Sequence, residues 1–526
     1  MCRSEFGRGT LTILFVVGTA VVLLLAYVPT FRVHRSWEDE VYWFSTCLSM
    51  VRSGAPISSA LADFPGTQSP LRFYGPTVFW LGALALKLFG ATLECRRSFT
   101  FVGEITSLAA IAILFRRLRN SWLLGAAAAF IFSFSIGISL GFSLPGRPDG
   151  WGIAILVGAM VIVAQGGSSA SASLTYSYIR WVLFGLLLGL GATTSPRTWP
   201  LVFSMVVFLP LLVDSQKVQR SIVACAGILF SIWIILLPLQ MSPFGFLAYV
   251  PGASAHDSAD ISPLMGGSWG FGHAMTQTVY YGGVLVVIGI LQARRWRELD
   301  RFAKWLLAAG LLNLLFAFVL LSRALNMPTY WGFPLEISAL MGLTMPLRSR
   351  LELAVRYLGI ALFVFMMALR TAREVPVFAH WHERDPALTE RALAAAIPSG
   401  SFVYGSIGDY FYPTLVSGSD YRYLFDSKNP GRSSIPNVAN APAPMTDACT
   451  RAAYLVWPAG GSAEATPHFA HASMTYVATY SQAPEREGRL ERLIEKVPGG
   501  EPTERTRASP FIDCKWIPVI AARSGD

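Results

Sequence analysis

Charge is what this sequence has least of. Only 14% of its 526 residues are Asp, Glu, Lys or Arg, while 53% are hydrophobic and the mean hydropathy is +0.47. Ordinary soluble domains carry about 25% charged residues. The shortage excludes a soluble fold of usual composition and points to a polytopic membrane protein. Cysteine is also scarce: the six cysteines form no CxxC and show no metal-ligand spacing, so no zinc ribbon or redox motif is present. No Walker sequence and no dinucleotide fingerprint occurs, which removes the usual glycine-rich phosphate cradles. No internal repeat is visible, although many transporters are built from one. The net charge of +10 does not form a nucleic-acid patch. Its basic residues are scattered in short loops between apolar runs, where they act as topology signals.

The first apolar run, 11–31, follows Arg3 and Arg8 and lacks a small-x-small cleavage site. It reads as an uncleaved first transmembrane helix with its N-terminus in the cytoplasm. Just beyond it stands Trp37-Glu38-Asp39-Glu40-Val41-Tyr42-Trp43, three carboxylates where the chain leaves the membrane. The segment 41–51 reads as a helix along the surface. Acids so close to lipid are costly and tend to be functional when they line a polar cavity. The plainer alternative is a solvated helix start whose acids favour the N-terminal dipole.

The run 76–90 is short of the roughly 20 residues a span needs. If it lies at the interface, 98–115 runs inward and Arg116, Arg117 and Arg119 fall in the cytoplasm. The spans 121–140, 150–164, 181–194, 198–213, 221–239, 273–292, 302–321, 330–347 and 353–369 then alternate. Nearly every short basic loop lands inside, whereas counting 76–90 as a span puts those loops outside. The positive-inside rule thus predicts about eleven spans. The expected fold is an all-α polytopic membrane domain, 1–369, and a small C-terminal external α/β domain, 370–526. In the latter, 386–397 reads as an amphipathic helix, and 401–405, 454–457 and 516–520 as strands. Cys449 and Cys514 would pair there if the compartment is oxidising.

This topology collects charged residues on the outer face. Asp39 and Glu40 come from the first external loop, Arg147 and Asp149 from Gly-Arg-Pro-Asp in the next, and Arg197 and Arg323 from later turns. An acid that accepts a proton, near cations at a membrane surface, suits a reaction with a phosphate leaving group: the base activates an acceptor, and the cations stabilise the departing charge. Each residue also has a structural reading. Asp149 also reads as a helix cap, Arg147 as snorkelling to headgroups, and Arg197 and Arg323 as interfacial anchors. Glu104 and Glu336 lie inside spans near their outer ends and face either a cavity or hydrogen-bonding partners. His380 and His382 lack an evident third ligand and read as a surface cluster; His256, Asp257 and Asp260 read as a solvated loop.

Several stretches, in order, resemble the polytopic glycosyltransferases of the GT-C fold, specifically the dolichyl-phosphate-mannose-protein-mannosyltransferase-like family and its bacterial relatives. DEVYWFSTCLSMVRSG is similar to the family's Asp-Glu-bearing first-loop helix, and YGPTVFWLGALALKLFG to its second loop helix. FRRLRNSWLLGAAAAF resembles its basic turn between early spans, GRPDGWGIAIL its Arg-Pro-Asp turn, and IPSGSFVYGS the strand after the last span. The likeness covers most of 10–415. Where relatives often show Lys-Gly-Pro, this chain has Arg197 in Ser-Pro-Arg-Thr.

The resemblance implies a multi-pass protein of the plasma (bacterial inner) membrane. It implies a glycosyltransferase, hexosyl or pentosyl, that moves a sugar from a polyprenyl-phosphate-sugar donor to a lipid, glycan or protein acceptor outside, with inversion. Asp39 would be general base. Glu40 would orient the acceptor or, with Asp39, hold a divalent metal ion if the reaction uses one. Arg147, Arg197 and Arg323 would meet the donor phosphate, and Asp149 would orient Arg147 or contact sugar hydroxyls. The rival expectation is a polytopic transporter or lipid flippase, which would place acids or broken helices mid-membrane.

Overall fold

The structure, a computed structural model, describes residues 2–30, 38–58, 74–133, 148–164, 174–195, 198–213, 217–247 and 294–320, with separate positions and strands between 337 and 521. For the ends of α1, for Glu38 and Asp39, and for most of the sheet, it describes the backbone alone. The statements below concern these residues.

The chain is mostly helical. Helix α1 spans Cys2–Thr30, α2 Glu38–Ser53, α3 Pro76–Phe89, α4 Leu93–Arg119, α5 Trp122–Phe132, α6 Asp149–Val163 and α7 Leu174–Ala192. Then come α8 (Trp199–Val207), α9 (Leu209–Leu212), α10 (Lys217–Leu236), α11 (Pro243–Leu247) and α12 (Arg301–Leu320). Among the described residues, Glu94–Arg119 and Val218–Leu239 are long and apolar enough to cross a membrane, and the shorter apolar helices include Trp122–Phe132 and Asp149–Val163. A surface helix is expected over 41–51; the helix there, α2, starts three residues earlier, and its Val41, Trp43, Phe44, Cys47, Leu48 and Met50 are buried within the protein. The expected single span 198–213 is interrupted at Phe208, because Pro210 supplies no amide to continue the ladder.

Local chemistry sets the boundaries of α4. Thr92 caps its start, the Oγ1 accepting from Cys95 N at 3.1 Å, and Glu94 sits in the first turn. Arg116, Arg117 and Arg119 fill its last turn, where cations complement the dipole. Asn120 then turns the chain with φ 49° and Ser121 caps α5.

Helices α4 and α6 run parallel: Gly150 lies against Glu104 at one end, and Arg117 Nη1 donates to Val161 O at 2.7 Å at the other. Arg180, near the start of α7, donates from Nε to Ile162 O at 2.6 Å and from Nη2 to Val163 O. Two arginines thus satisfy the last carbonyls of α6, which a helix end otherwise leaves open. Small residues bring α7 and α10 into contact, as close packing of membrane helices requires. A Cβ on Gly185 would collide with Ala224 O, and one on Gly189 would lie 2.6 Å from Ile228 O.

Helix α3 begins with Gly75 as cap and Pro76 in the first turn. Its opening amides are held by the end of α7: Gly75 N donates to Thr194 O at 2.7 Å and Thr77 N to Thr193 O at 3.0 Å. Its last turn is joined through Gly90 to the start of α4, where Cys95 Sγ meets Ala85 O at 3.8 Å. Both ends of α3 are therefore fastened at one end of the bundle, the end away from Arg117 and Arg180. The segment does not run the bundle's length.

The later strands are β1 (Phe402–Gly405), β2 (Asp420–Tyr423), β3 (Tyr454–Pro458), β4 (Ala472–Met474), β5 (Ala478–Tyr480) and β6 (Cys514–Ala521). They form one mixed sheet in the order β2-β1-β3-β6-β4, with β5 also on β6. The pairs β1–β2 and β1–β3 are parallel; β6 is antiparallel to its neighbours. An exposed ion pair, Arg52 Nη1 to Asp420 Oδ1 at 3.2 Å, ties the end of α2 to β2. The expected helix 386–397 lies almost wholly outside the described residues, as does Cys449.

Candidate functional site

The first turn of α2 carries the acids singled out by the sequence. Glu40 is wholly buried, and the neighbouring helix α4 explains how a charge is tolerated there. Arg96 Nη1 lies 3.0 Å from Glu40 Oε1, Arg97 Nε 3.2 Å from the same oxygen, and Arg97 Nη2 3.4 Å from Oε2. All three side chains are sealed from solvent. A buried carboxylate needs this kind of pairing, because ion desolvation otherwise costs several kcal/mol. Two guanidinium groups on one carboxylate leave an excess positive charge within the trio. The Arg96 guanidinium also lies over the Trp43 ring at 4.3 Å, a cation–π contact that stabilises the cation further.

The start of α6 meets the same stretch of α4. Asp149 is buried at 1% exposure in the first turn of α6, where a negative charge favours the helix dipole. Gly150 permits the close crossing: a Cβ there would lie 2.9 Å from Glu104 N and 3.1 Å from Glu104 Cδ. Glu104 is likewise wholly buried, its carboxyl carbon against the opening of α6. One junction of α2, α4 and α6 thus gathers Glu40, Arg96, Arg97, Glu104 and Asp149. Three rings cross it: Trp43, Phe99 and Trp151.

Asp39 lies on the first turn of α2, beside Glu40; only its backbone is described. Arg147, Arg197, Arg323 and Glu336 lie outside the described residues, as do His256, Asp257, Asp260, His380 and His382. Arg96 and Arg97 are not among the sequence-predicted site residues. The signal for them was two adjacent arginines at the start of an apolar run, a place where cations call for a partner. For a metal ion, Glu40 does not fit: guanidinium nitrogens within 3.2 Å of its Oε1 repel a cation and occupy the carboxylate. Among the described residues no group of three potential metal ligands occurs.

No family model matches the chain, and no curated protein matches it. Solved structures do. ArnT from Cupriavidus metallidurans in the apo state superposes with a TM-score of 0.55 at 13% identity, covering 100% of both chains. The same protein bound to undecaprenyl phosphate gives 0.54 at 13% identity, over 97% of this chain and 99% of the other. The oligosaccharyltransferase AglB from Archaeoglobus fulgidus, in complex with an inhibitory peptide and a dolichol-phosphate, gives 0.45 at 13% identity, over 84% and 69%. The chain shares its fold, the GT-C fold, with ArnT.

Proposed function

We propose that this chain is a membrane glycosyltransferase that moves a sugar from a polyprenyl-phosphate-linked donor to an acceptor hydroxyl on the extracytoplasmic side. The observation that carries this reading is the buried Glu40–Arg96–Arg97 trio, which fixes the helix turn bearing Asp39 at the junction where Asp149 begins α6. The likeness over full length to a protein that binds undecaprenyl phosphate supports the donor class. The basic ends of α4 and α7 at the opposite end of the bundle support placing the site outside.

In the reaction, the acceptor hydroxyl attacks the anomeric carbon from the face opposite the phosphate. Its proton passes to the Asp39 carboxylate as the new C–O bond forms. The bond from the anomeric carbon to the phosphate oxygen breaks, and polyprenyl phosphate leaves with both electrons. Attack from the opposite face inverts the anomeric configuration. Arg147, Arg197 and Arg323 supply the positive charge that meets the leaving phosphate. Asp149 orients Arg147 or holds sugar hydroxyls. Glu40 acts through its arginines as a positioning residue and leaves proton transfer to Asp39. The whole arrangement uses about eleven spans, with 1–369 as the catalytic domain and 370–526 as an extracytoplasmic α/β domain.

Mass analysis of envelope glycolipids and glycans from a deletion strain tests this function. Loss of one sugar substituent, restored by the wild-type gene, is the expected result. An unchanged sugar inventory, with altered uptake or lipid distribution instead, would contradict it and favour transport.

A further inference from the structure

Phe99 stands between two rings from different helices. Its ring stacks on Trp43 of α2, with centroids 5.5 Å apart and planes at 26°, and meets Trp151 of α6 in a tilted pair, at 5.2 Å and 31°. The Arg96 guanidinium covers Trp43 at 4.3 Å. Trp151 Nε1 donates to the backbone carbonyl of Phe99 itself at 3.0 Å. The column therefore runs Arg96, Trp43, Phe99, Trp151 across three helices.

Its two ends are set close to the acids. Trp43 lies one helical turn beyond Asp39 and Glu40, and Trp151 lies two residues beyond Asp149. Two glycines seat the outer rings. A Cβ on Gly82 would lie 2.7 Å from Trp43 Cζ2, and one on Gly103 would lie 2.8 Å from Trp151 Cδ1. Each indole thus has a backbone on one side and the Phe99 ring as an aromatic partner. At the far end of α6 the contact with α4 is held separately, by Arg117 on Val161.

We propose that Phe99 is a positioning residue that fixes the separation between the start of α2, with Asp39, and the start of α6, with Asp149. The proposal rests on the glycosyl-transfer reading above and assigns that site a spacer. Aromatic pairs have preferred offset geometries, so the rings define a distance where flexible aliphatic chains would not. Reacting groups misplaced by about 1 Å lose on the order of 10²-fold in rate, even when the change is remote from the chemistry.

The test uses the full-length protein in lipid nanodiscs and the variants Phe99→Leu and Phe99→Tyr. Two readouts are taken: steady-state transfer, and hydrogen exchange of peptides covering the starts of α2 and α6. Phe99→Leu is expected to lower kcat by about 10- to 100-fold and leave KM within about twofold. Exchange is expected to rise at both helix starts together and to stay unchanged near Arg117 and Val161. Phe99→Tyr keeps the ring and is expected to restore both. If Phe99→Leu fails to fold, Phe99→Met, which keeps most of the volume and removes the ring, is read in its place with the same expected results. Wild-type kcat in Phe99→Leu, or a fall in kcat without increased exchange at the two helix starts, overturns the proposal. If the wild-type protein transfers no sugar, the functional reading fails, and the exchange pattern alone decides whether Phe99 is a spacer.

Discussion

Arg97 Nε stands 3.2 Å from Glu40 Oε1, joining residues 57 apart in the chain with neither side chain exposed. Removing one partner of such a pair strands a buried charge, which costs about 3–5 kcal/mol. Glu40→Ala is therefore expected to lower thermal stability in detergent, because two buried guanidinium groups lose a shared carboxylate partner. Arg97→Lys is expected to be a poor substitute, since an ammonium cannot offer two nitrogens to both carboxylate oxygens. Thermal unfolding of the purified variants checks this; a Glu40→Ala protein as stable as wild type would contradict the ion-pair account.

The α7–α10 crossing makes a second prediction. Gly185 faces the Ala224 carbonyl so closely that no side chain fits. Gly185→Leu is expected to separate the helices and cost at least about 1–3 kcal/mol through overpacking. Gly158, whose Cβ would meet only Leu187 Cδ1 at 3.8 Å, is the control, and Gly158→Ala is expected to be nearly neutral. Size-exclusion profiles and melting curves separate the two; equal behaviour would argue against the close contact.

Cys47 is buried between α2 and α3, its Sγ against Gly82. Burial pushes its thiol well above the ordinary range, and the nearby Arg96 opposes this only in part. Because the thiolate is the reactive form, Cys47 is expected to resist maleimide in the folded protein through neutral and mildly alkaline pH. It should label readily after unfolding. Peptide mapping after labelling provides the check, and fast modification of the native protein would place Cys47 at an open surface.

Much of this junction was legible in the sequence for physical reasons. Acids at the exit of an apolar run are expensive, so Asp39 and Glu40 stood out before any contact was known. The shortness of 76–90 was legible too: α3 is a 14-residue helix, and its opening amides, those of Gly75 and Thr77, are held by Thr194 and Thr193. Glu104 was left between a cavity-facing and a hydrogen-bonded reading; its carboxyl lies buried against the start of α6. Arg96 and Arg97 escaped notice because arginines flanking a span normally report topology, and pairing across 57 residues has no local signature. The break at Phe208 was also missed, although Pro210 carried its signal. Packing of Phe99 between two indoles from separate helices is a purely tertiary fact.

The measurement closest to the central claim is sugar transfer by Asp39→Asn. The substitution keeps the size of the side chain and most of its hydrogen bonding but removes the base. A general base contributes about 10²–10⁴-fold in rate, so the variant is expected to lose transfer by that factor in a reconstituted membrane assay. Donor binding should survive, because the cations proposed to hold the phosphate remain, whereas Arg147→Ala should weaken binding and rate together. Expression, gel-filtration behaviour and melting temperature should match wild type. A well-folded Asp39→Asn protein that transfers sugar at near wild-type rate would contradict the assignment of Asp39 as the base.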